Sequence, residues 1–367
     1  MIIKSIELHD FRNYENLKIE FQQGINILYG DNAQGKTNIL EAAFLSGTTK
    51  SHKGSKDREM IRFDHQEAHI RTLVEKGKGE YRIDLHLKKR ESKGIAINGV
   101  PIRKASELFG FLNIIFFSPE DLNIIKNGPA ERRRFLDAEI CQLDKIYLSD
   151  LTRYNKALAQ RNRLLKEIEE KEELLPTLSI WNEQLVEYGK RVIRRRKLFV
   201  EELNQMIFPI HKNLTGEKEH LILQYEQDTK EKEFEIELAA AEQRDLRQLS
   251  TSVGPHRDDL KFQINDIDIR RFGSQGQQRT SALSLKLAEI ELVKKTIHEK
   301  PVLLLDDVLS ELDENRQNFL LKSIGDIQTM ITCTGLEEFV KNRVPVDRVF
   351  YVKEGKISLI EKVEEHE

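Results

Sequence analysis

One octapeptide constrains the fold of this chain more than any other feature. Gly30-Asp31-Asn32-Ala33-Gln34-Gly35-Lys36-Thr37 has the spacing G-x-x-x-x-G-K-T and directly follows the apolar run 25–29. The glycines let backbone N–H groups come close to a phosphate chain, because no Cβ intervenes. The lysine then reaches the β- and γ-phosphates, the threonine hydroxyl reaches Mg²⁺, and the following helix points its positive end at the anion. We therefore expect a strand, a phosphate-binding loop and a helix in this order.

Length and composition limit the class of protein. A chain of 367 residues allows about two domains, and the charged fraction of 33% with a mean hydropathy of -0.54 indicates much exposed helix. No apolar run approaches the roughly 20 residues of a membrane span, and the amino terminus is charged too early for a secretory signal. We expect a cytosolic (cytoplasmic) protein. The net charge of -3 gives no global argument for nucleic acid, so a surface that binds it must be local.

Cysteine and histidine usage predicts neither a disulfide framework nor a transition-metal site. Only Cys141 and Cys333 are present, far apart and outside any C-x-x-C pattern. The ten histidines show no H-E-x-x-H or other ligand spacing. We therefore predict no transition metal held by the protein.

The first part of the chain has the patterns of short strands. β-prone runs at 2–8, 17–21 and 25–28 precede the loop, and alternating runs at 68–74 and 81–87 follow it. Asn98-Gly99 is typical of a tight hairpin turn. Together these runs predict an antiparallel sheet beside the nucleotide-binding core.

The composition changes after Leu122 to long charged helices, which we interpret as an inserted domain. Apolar positions recur at spacings of four and three between Tyr147 and Ile168 and again between Trp181 and Phe199, on either side of Pro176. The pattern fits an antiparallel coiled-coil hairpin or two ordinary amphipathic helices packed on a globular domain. A further helix is predicted at 230–249, and strands resume at 260–264 and 267–269. We place the helical arm domain at 128–249 and the head at 1–127 and 250–367.

A second motif near the carboxyl end completes a nucleotide site. Val302-Leu303-Leu304-Leu305 is a buried-strand pattern that ends in Asp306-Asp307. Such a strand is what a Walker B motif needs, since its carboxylate must emerge at the strand end to hold the Mg²⁺ shell. We therefore assign Asp306 with Thr37 to the metal, and Asp307 with Lys36 to catalysis, Asp307 orienting the attacking water.

The stretch between the two motifs narrows the class. Ser274-Gln275-Gly276-Gln277 runs into a helix and resembles the S-x-G-Q signature of ABC-type ATPases. In that class the serine and the helix amino terminus contact the γ-phosphate held by the other subunit. Ser310 to Asp313 resembles the D-loop of the same class.

The chain resembles the RecF family of bacterial recombination mediators over nearly its whole length. The residues that carry the resemblance are Phe11-Arg12-Asn13-Tyr14, Gly30 to Thr37, Ser51-His52-Lys53, 118–122, 126–137, Gly254-Pro255-His256-Arg257-Asp258-Asp259-Leu260 and 304–313. The resemblance implies an α/β fold, an SMC-like ABC-type ATPase head with a mainly helical inserted arm. It also implies an ATP-dependent homodimer, weak ATP hydrolysis with Mg²⁺, binding to duplex DNA at single-strand gaps, and cooperation with RecR and RecO in loading RecA. It adds Arg12, Asn13 and Asn38 to the nucleotide site.

Three departures from the family pattern bear on mechanism. Lys53 stands where the family often has arginine, Asp307 replaces the usual glutamate of ABC enzymes, and the switch histidine of those enzymes is absent. Thr332 or Thr334 could substitute for that histidine. The shorter Asp307 predicts slow turnover, because a small displacement of a water-orienting group reduces catalysis.

The DNA-binding candidates are basic clusters in the inserted region. They are Arg132-Arg133-Arg134, Arg194-Arg195-Arg196-Lys197 and, on the arm helices, Arg153, Arg161 and Arg163. Each cluster also fits a solvated charged face, because acids are interleaved nearby. Two other classes compete with a DNA-binding ATPase. An ATPase subunit of a membrane permease disagrees with the large insertion, and a structural SMC protein disagrees with the short arm, which lacks a Cys-x-x-Cys hook.

Overall fold

A computed structural model describes residues 1–336 and 345–360, and the chain divides into two compact units. Unit 1 comprises Met1–Asp121 and Glu289–Glu367, and unit 2 comprises Leu122–Ala288. This division differs from the predicted domains, because residues 250–288, which we placed in the head, belong to unit 2. The physical reason is strand pairing, since the strand at 259–264 pairs with the strand at 221–226.

The elements alternate between the two units in chain order. Unit 1 begins with β1 (Ile2–Phe11), β2 (Tyr14–Glu20), β3 (Ile25–Tyr29), α1 (Lys36–Thr48), α2 (Asp57–Met60), β4 (Glu67–Lys76), β5 (Gly79–Lys88), β6 (Gly94–Ile97), β7 (Val100–Pro101) and β8 (Ile114–Phe117). Unit 2 contains α3 (Leu122–Lys126), α4 (Pro129–Leu143), α5 (Lys145–Glu170), α6 (Leu178–Leu214), β9 (Leu221–Glu226), α7 (Phe234–Ala240), α8 (Glu242–Gln248), β10 (Asp259–Ile264), β11 (Ile267–Asp268) and α9 (Ile269–Phe272). The division falls within α10 (Gln275–Ile297), and β12 (Val302–Asp306), α11 (Glu314–Ile324), β13 (Thr329–Cys333), β14 (Arg348–Lys353) and β15 (Lys356–Ile360) return to unit 1.

The nucleotide-binding part of unit 1 is a mainly parallel sheet. Its order is β15-β14-β3-β13-β12-β8, with only the β15 edge antiparallel. β8 is entirely apolar, β3 is apolar except for Asn26, and β12 is apolar up to Asp306. All three strands are buried almost throughout, as expected for strands covered on both faces. Since the carboxyl ends of parallel strands meet at one edge, the loop after β3 and the acids after β12 emerge together, with β13 between them.

The second sheet of unit 1 is the predicted antiparallel sheet, in the order β2-β1-β4-β5-β6-β7. β4 alternates exposed and buried residues over most of its length, so one face packs inward and the other meets solvent. The two sheets and α1 share one hydrophobic core. The Asn98-Gly99 turn joins β6 to β7, and both residues have the positive φ of a tight hairpin turn (52° and 81°).

Unit 2 is mainly helical, as predicted. α5 and α6 pack against each other and are joined by a short 3₁₀ segment that contains Pro176. Both also pack on neighbouring elements of the unit, α5 on α4 and α8, and α6 on β9 and α7. The structure thus favours amphipathic helices within a globular unit over an isolated coiled coil. The single helix predicted at 230–249 is wrong, because two short helices, α7 and α8, occupy that region. Within the described residues, no helix is both long and apolar enough to cross a membrane.

Candidate nucleotide-binding site

The loop between β3 and α1 has the backbone of a phosphate cradle. Gly30, Ala33 and Gly35 all have positive φ (148°, 63° and 112°), and α1 begins at Lys36, directly after Gly35. A side chain on Gly35 would also collide with Asn13, whose Nδ2 lies 2.5 Å from an ideal Cβ. The backbone conformation therefore explains why the sequence has glycine at both ends of the loop.

Lys36 lies inside this loop rather than in solvent. Its ammonium group donates to the carbonyl oxygens of Gly30 at 2.5 Å and Asp31 at 2.9 Å, and the residue is only 4% exposed. Both acceptors are neutral carbonyls, so these hydrogen bonds hold the positive charge of Lys36 at the cradle. Asp31, Asn32 and Ala33 form the exposed rim of the loop.

The two predicted metal ligands are in direct contact. Thr37 Oγ1 donates to Asp306 Oδ1 at 2.8 Å, although the two residues lie at opposite ends of the chain. Thr332 on β13 donates to the same carboxylate oxygen at 2.8 Å. A carboxylate and a hydroxyl are the hard oxygen ligands that Mg²⁺ prefers. The parallel sheet therefore assembles a set of oxygen donors suited to Mg²⁺.

Asp307 turns away from the strand at the same edge. Its φ is 53°, and its backbone N–H donates to Thr332 Oγ1 at 3.0 Å. Burial raises the pKa of the Asp307 carboxyl; the charge on Lys36 opposes the shift and that on Asp306 adds to it. A raised pKa suits a general base. Asp307, Thr332 and Thr334 line a small cavity of 140 Å³.

Of the two threonines proposed in place of the switch histidine, Thr332 has the clearer geometry. It bridges the two acids, whereas Thr334 contributes to the wall of the cavity. The sequence identified Thr332 only through its position after an apolar strand.

Asn13 and Asn38 both contact the P-loop region. Asn13 Nδ2 donates to the Gln34 carbonyl at 3.0 Å, and Asn38 Nδ2 donates to Asn13 Oδ1 at 2.8 Å. Tyr14, which sequence reasoning did not assign to the site, donates its hydroxyl to the Gly35 carbonyl at 3.1 Å. Asn13 and Tyr14 thus bond the loop directly, and Asn38 on α1 holds Asn13 in place.

Arg12 is held by acceptors within the protein. It makes two hydrogen bonds to Glu41 on α1, at 2.7 and 2.8 Å, and others to Ser55 and the Glu59 carbonyl. Burial alone would raise the pKa of the Glu41 carboxyl, but the hydrogen bonds from Arg12 and Ser51 lower it below its usual value. Arg12 thus positions the α1 helix through Glu41, a residue that no motif had indicated.

His52 is a half-buried histidine near the nucleotide site. Its ring stacks on Phe116 with centroids 4.0 Å apart, and both ring nitrogens are buried without a hydrogen-bond partner in the described part of the chain. Burial lowers the pKa of His52 to about 4, so the imidazole is neutral at physiological pH.

The signature segment lies in unit 2, not in unit 1 with the P-loop and Asp306. Ser274 precedes α10 and forms a capping box with Gln277, since Ser274 Oγ accepts from the Gln277 N–H and Gln277 Oε1 accepts from the Ser274 N–H. Ser274 and Gln275 are exposed, and Gly276 and Gln277 are half-buried. The amino terminus of a 23-residue helix is therefore open to solvent here.

Comparisons with known proteins identify the family of this chain. The family model described as the RecF/RecN/SMC N terminal domain matches residues 2–358. The DNA replication and repair protein RecF of Agathobacter rectalis is 66% identical over 99% of this chain and 100% of that protein. This chain belongs to the RecF family. The protein of the same name from Clostridium botulinum is 45% identical over 98% of this chain and 100% of its own length.

Solved structures confirm the predicted fold of this RecF family member. A structure described as the recombination mediator protein RecF-ATP in the RecFOR pathway superposes with a TM-score of 0.90 at 40% identity, covering 98% of this chain and 97% of that one. The Smc head domain of Pyrococcus furiosus, at 18% identity and a TM-score of 0.55 over 98% of this chain and 95% of that one, shares the fold alone. The fold is an SMC-like ABC-type ATPase head with a helical insertion.

The basic clusters of this family member separate into buried and exposed residues. Arg132, Arg161 and Arg196 are 2%, 0% and 2% exposed. Arg132 pairs with Asp259 at 2.6 Å, Arg161 with Asp245 at 2.7 Å, and Arg196 with Asp137 and Asp258 at 2.8 and 2.9 Å. The prediction that these three contact DNA is therefore wrong, because their guanidinium groups are enclosed and already paired.

The remaining basic candidates differ in exposure. Arg133, half-buried, donates to the Asp258 carbonyl at 2.7 Å, and Arg195 pairs with Asp144 and Glu202 with 20% of its side chain exposed. The side chains of Arg134, Arg194 and Lys197 are 72%, 64% and 61% exposed, and their partners are Glu131, Glu231 and Glu201. Such surface pairs are weak, so these three residues stay open to phosphates.

Proposed function

We propose that this chain is an ATP-dependent DNA-binding protein of recombination and repair. The observation that carries the proposal is the contact between Thr37 and Asp306 beside the P-loop, since it joins the two motifs of an ATP site across the sequence. In this site Lys36 and the backbone of 30–38 bind the phosphates of ATP, and Thr37 with Asp306 binds Mg²⁺. The RecF-ATP structure and the names of the relatives support this function.

Hydrolysis of ATP acts as a slow switch in this proposal. Asp307 accepts the proton of the attacking water and Thr332 fixes the backbone beside it. The cavity that Asp307 and Thr332 line is large enough for a water molecule. We expect a weak ATPase that DNA stimulates. Stimulation by lipid vesicles instead of DNA would favour the permease-type alternative.

The ATP-bound form is a homodimer in this proposal. Ser274 and the open amino terminus of α10 from one subunit cap the γ-phosphate on Lys36 of the other, so that ATP stabilises the dimer. Light scattering on the parent with and without ATP tests this step. Ser274→Arg should bind ATP and stay monomeric, while Lys36→Ala should stay monomeric because it binds ATP poorly. A parent protein with unchanged monomer mass at saturating ATP would sink the idea.

Duplex DNA near single-strand gaps is the proposed nucleic-acid ligand. Arg134, Arg194 and Lys197 are the exposed candidates for phosphate contacts. Binding through phosphates should weaken with salt and show little sequence preference, and each contact removed should reduce the salt slope by about one. A triple alanine variant, compared with the parent over a salt series, checks this. An identical slope in both proteins would remove these residues from the DNA surface.

Cooperation with RecR and RecO in loading RecA is the most specific part of the proposal. It rests on the relatives and on the RecF structures of the RecFOR pathway, and it agrees with the predicted cytosolic location. The test is RecA filament formation on gapped duplex DNA with RecO and RecR, with and without this protein. An unchanged rate of filament formation would contradict it.

A further inference from the structure

The solvent face of the antiparallel sheet in unit 1 carries a cluster of histidines. His9 on β1, His69 on β4 and His86 on β5 are direct neighbours, since His9 pairs with His69 and His69 pairs with His86 in the strand register. The His69 and His86 rings stack with centroids 4.0 Å apart. The His9 ring is more distant, 6.2 Å from His69, and its Nδ1 contacts Asn16. The sheet therefore presents two adjacent imidazoles, with a third beside them.

Glu67 adds a carboxylate to the two adjacent imidazoles. It lies two residues before His69 on β4, on the same face, and its Oε2 is 2.7 Å from His86 Nε2. The ligand atoms of Glu67, His69 and His86 all lie within 4.8 Å of one another. Two ligands that share one Zn²⁺ at about 2.0–2.2 Å each lie at most about 4.4 Å apart. The three ligand atoms are therefore already near the spacing of ligands that share one ion, and rotation of the two stacked imidazoles has to direct their nitrogens at it.

The surroundings of the three residues leave space for an ion. Lys88, which lies opposite Glu67 across the strands, has Glu91 as its ion-pair partner at 2.8 Å. His69 and His86 line an open cavity of 770 Å³, which leaves room for further ligands on the ion.

We propose that Glu67, His69 and His86 form a binding site for a divalent transition-metal ion of the zinc class. Two imidazoles and one carboxylate are a known ligand set for Zn²⁺ with open coordination positions. This site is independent of the proposed ATP function and contradicts our prediction from sequence that no transition metal is held. H-E-x-x-H spacing describes ligands on one helix, whereas here the ligands meet across two strands.

Calorimetric titration of the full chain with Zn²⁺ tests the site. The protein carries no histidine tag, is first stripped with a chelator, and is titrated in excess Mg²⁺, which prefers oxygen ligands and does not compete for imidazole. We expect one Zn²⁺ per chain with saturable binding. His69→Gln, His86→Gln and Glu67→Gln should each weaken binding by more than about tenfold, the loss found even when groups outside the ligand set are removed.

His220→Gln is the matched control, because it removes an exposed imidazole in unit 2. It should bind Zn²⁺ like the parent. A second readout is thermal unfolding, in which Zn²⁺ should raise the Tm of the parent and of His220→Gln but not of the ligand variants. The metal-free ligand variants should melt like the metal-free parent, since their side chains lie at the surface. No saturable binding by the parent, unchanged binding by His69→Gln and His86→Gln, or an equal loss in His220→Gln would overturn the proposal.

Discussion

Charged residues at the P-loop of unit 1 and in the interior of unit 2 serve opposite purposes. At the P-loop of unit 1, the acceptors of Lys36 are two neutral carbonyls and the partners of Asp306 are two neutral hydroxyls. In unit 2, Arg161 and Arg196 are fully buried and face carboxylates. A charge met by neutral groups stays available to a ligand, whereas a buried charge paired with its opposite holds the fold together. Exposure and partner charge, rather than residue type, therefore separate binding residues from structural ones.

The buried network around Arg196 explains the Gly254 to Leu260 motif of unit 2. Arg196 donates to the Pro255 carbonyl at 2.6 Å and to Asp258, which also accepts from the Tyr225 hydroxyl. Asp137 on α4 binds both Arg196 and Tyr147. The network thus ties α4, α5 and α6 to the segment before β10. The Gly254 to Leu260 motif, one of those that carry the family resemblance, therefore has a structural role in unit 2.

The largest loss of stability is expected from breaking the hydrogen-bond network around Arg196. Arg196→Met leaves the buried Asp258 without its cation, and breaking one partner of a buried pair costs about 3–5 kcal/mol of the free energy of unfolding. Urea denaturation measures the loss. Lys197→Ala, one residue further along α6 and exposed, should change it by no more than about 0.5 kcal/mol. Equal stability of Arg196→Met and the parent would contradict the assignment of Arg196 to the fold.

In unit 1, the different pKa of His52 in the unfolded and folded states predicts that the stability of the protein depends on pH. In the unfolded chain its pKa is 6.5, and in the folded protein burial lowers the pKa to about 4. The unfolded state therefore binds a proton that the folded state does not, so stability is lost as pH falls from 6.5 towards 4. His52→Phe removes this loss, which amounts to about 3 kcal/mol at pH 4.

Denaturation of the parent and His52→Phe at pH 7 and pH 4 measures the difference between their pH dependences. His220→Phe, which alters an exposed imidazole, should follow the parent. Parallel stability curves for His52→Phe and the parent would show that His52 does not stay neutral in the folded protein.

Substitution of Asp307 tests whether its carboxylate activates the attacking water. Asp307→Asn keeps the side-chain shape but cannot accept the proton, so ATP hydrolysis should fall by about 100-fold, the lower end for loss of a general base. Binding of a fluorescent ATP analogue should be unchanged. Asp144→Asn is the control, since asparagine caps α5 as well as aspartate does. Hydrolysis by Asp307→Asn at the parent rate would mean that another group activates the water.

The difference between the units also decides what could be predicted from the sequence. The P-loop, Asp306 and their meeting at one sheet edge were predictable, because a motif specifies its own backbone and parallel strands align their ends. The burial of Arg161 was not, since its partner Asp245 comes from α8 and only the tertiary structure brings them together. The break between α7 and α8 was also missed, because residues 234–248 contain no glycine or proline that would mark the end of a helix.

The Glu67, His69 and His86 cluster lies between these extremes. In the structure, β4 and β5 form a hairpin around Gly77-Lys78, and this two-residue turn places His69 opposite His86. Motifs such as H-E-x-x-H describe ligands that lie close together in the sequence, so they do not detect ligands paired across two strands. A search for ligands across predicted hairpins would have found it.

The smallest loss of stability is expected from substitution of Thr332, whose hydroxyl bonds to both Asp306 and Asp307. Thr332→Val has nearly the same shape but removes the hydroxyl that donates to Asp306 and accepts from the Asp307 N–H. An unsatisfied buried group costs about 1–3 kcal/mol, and we expect the lower half of that range, because Asp306 keeps Thr37 as a donor. Urea denaturation measures this loss, and Thr332→Ser should restore most of it. If serine and valine destabilise the protein equally, the methyl group of Thr332 matters rather than its hydroxyl, and Thr332 does not bridge the acids.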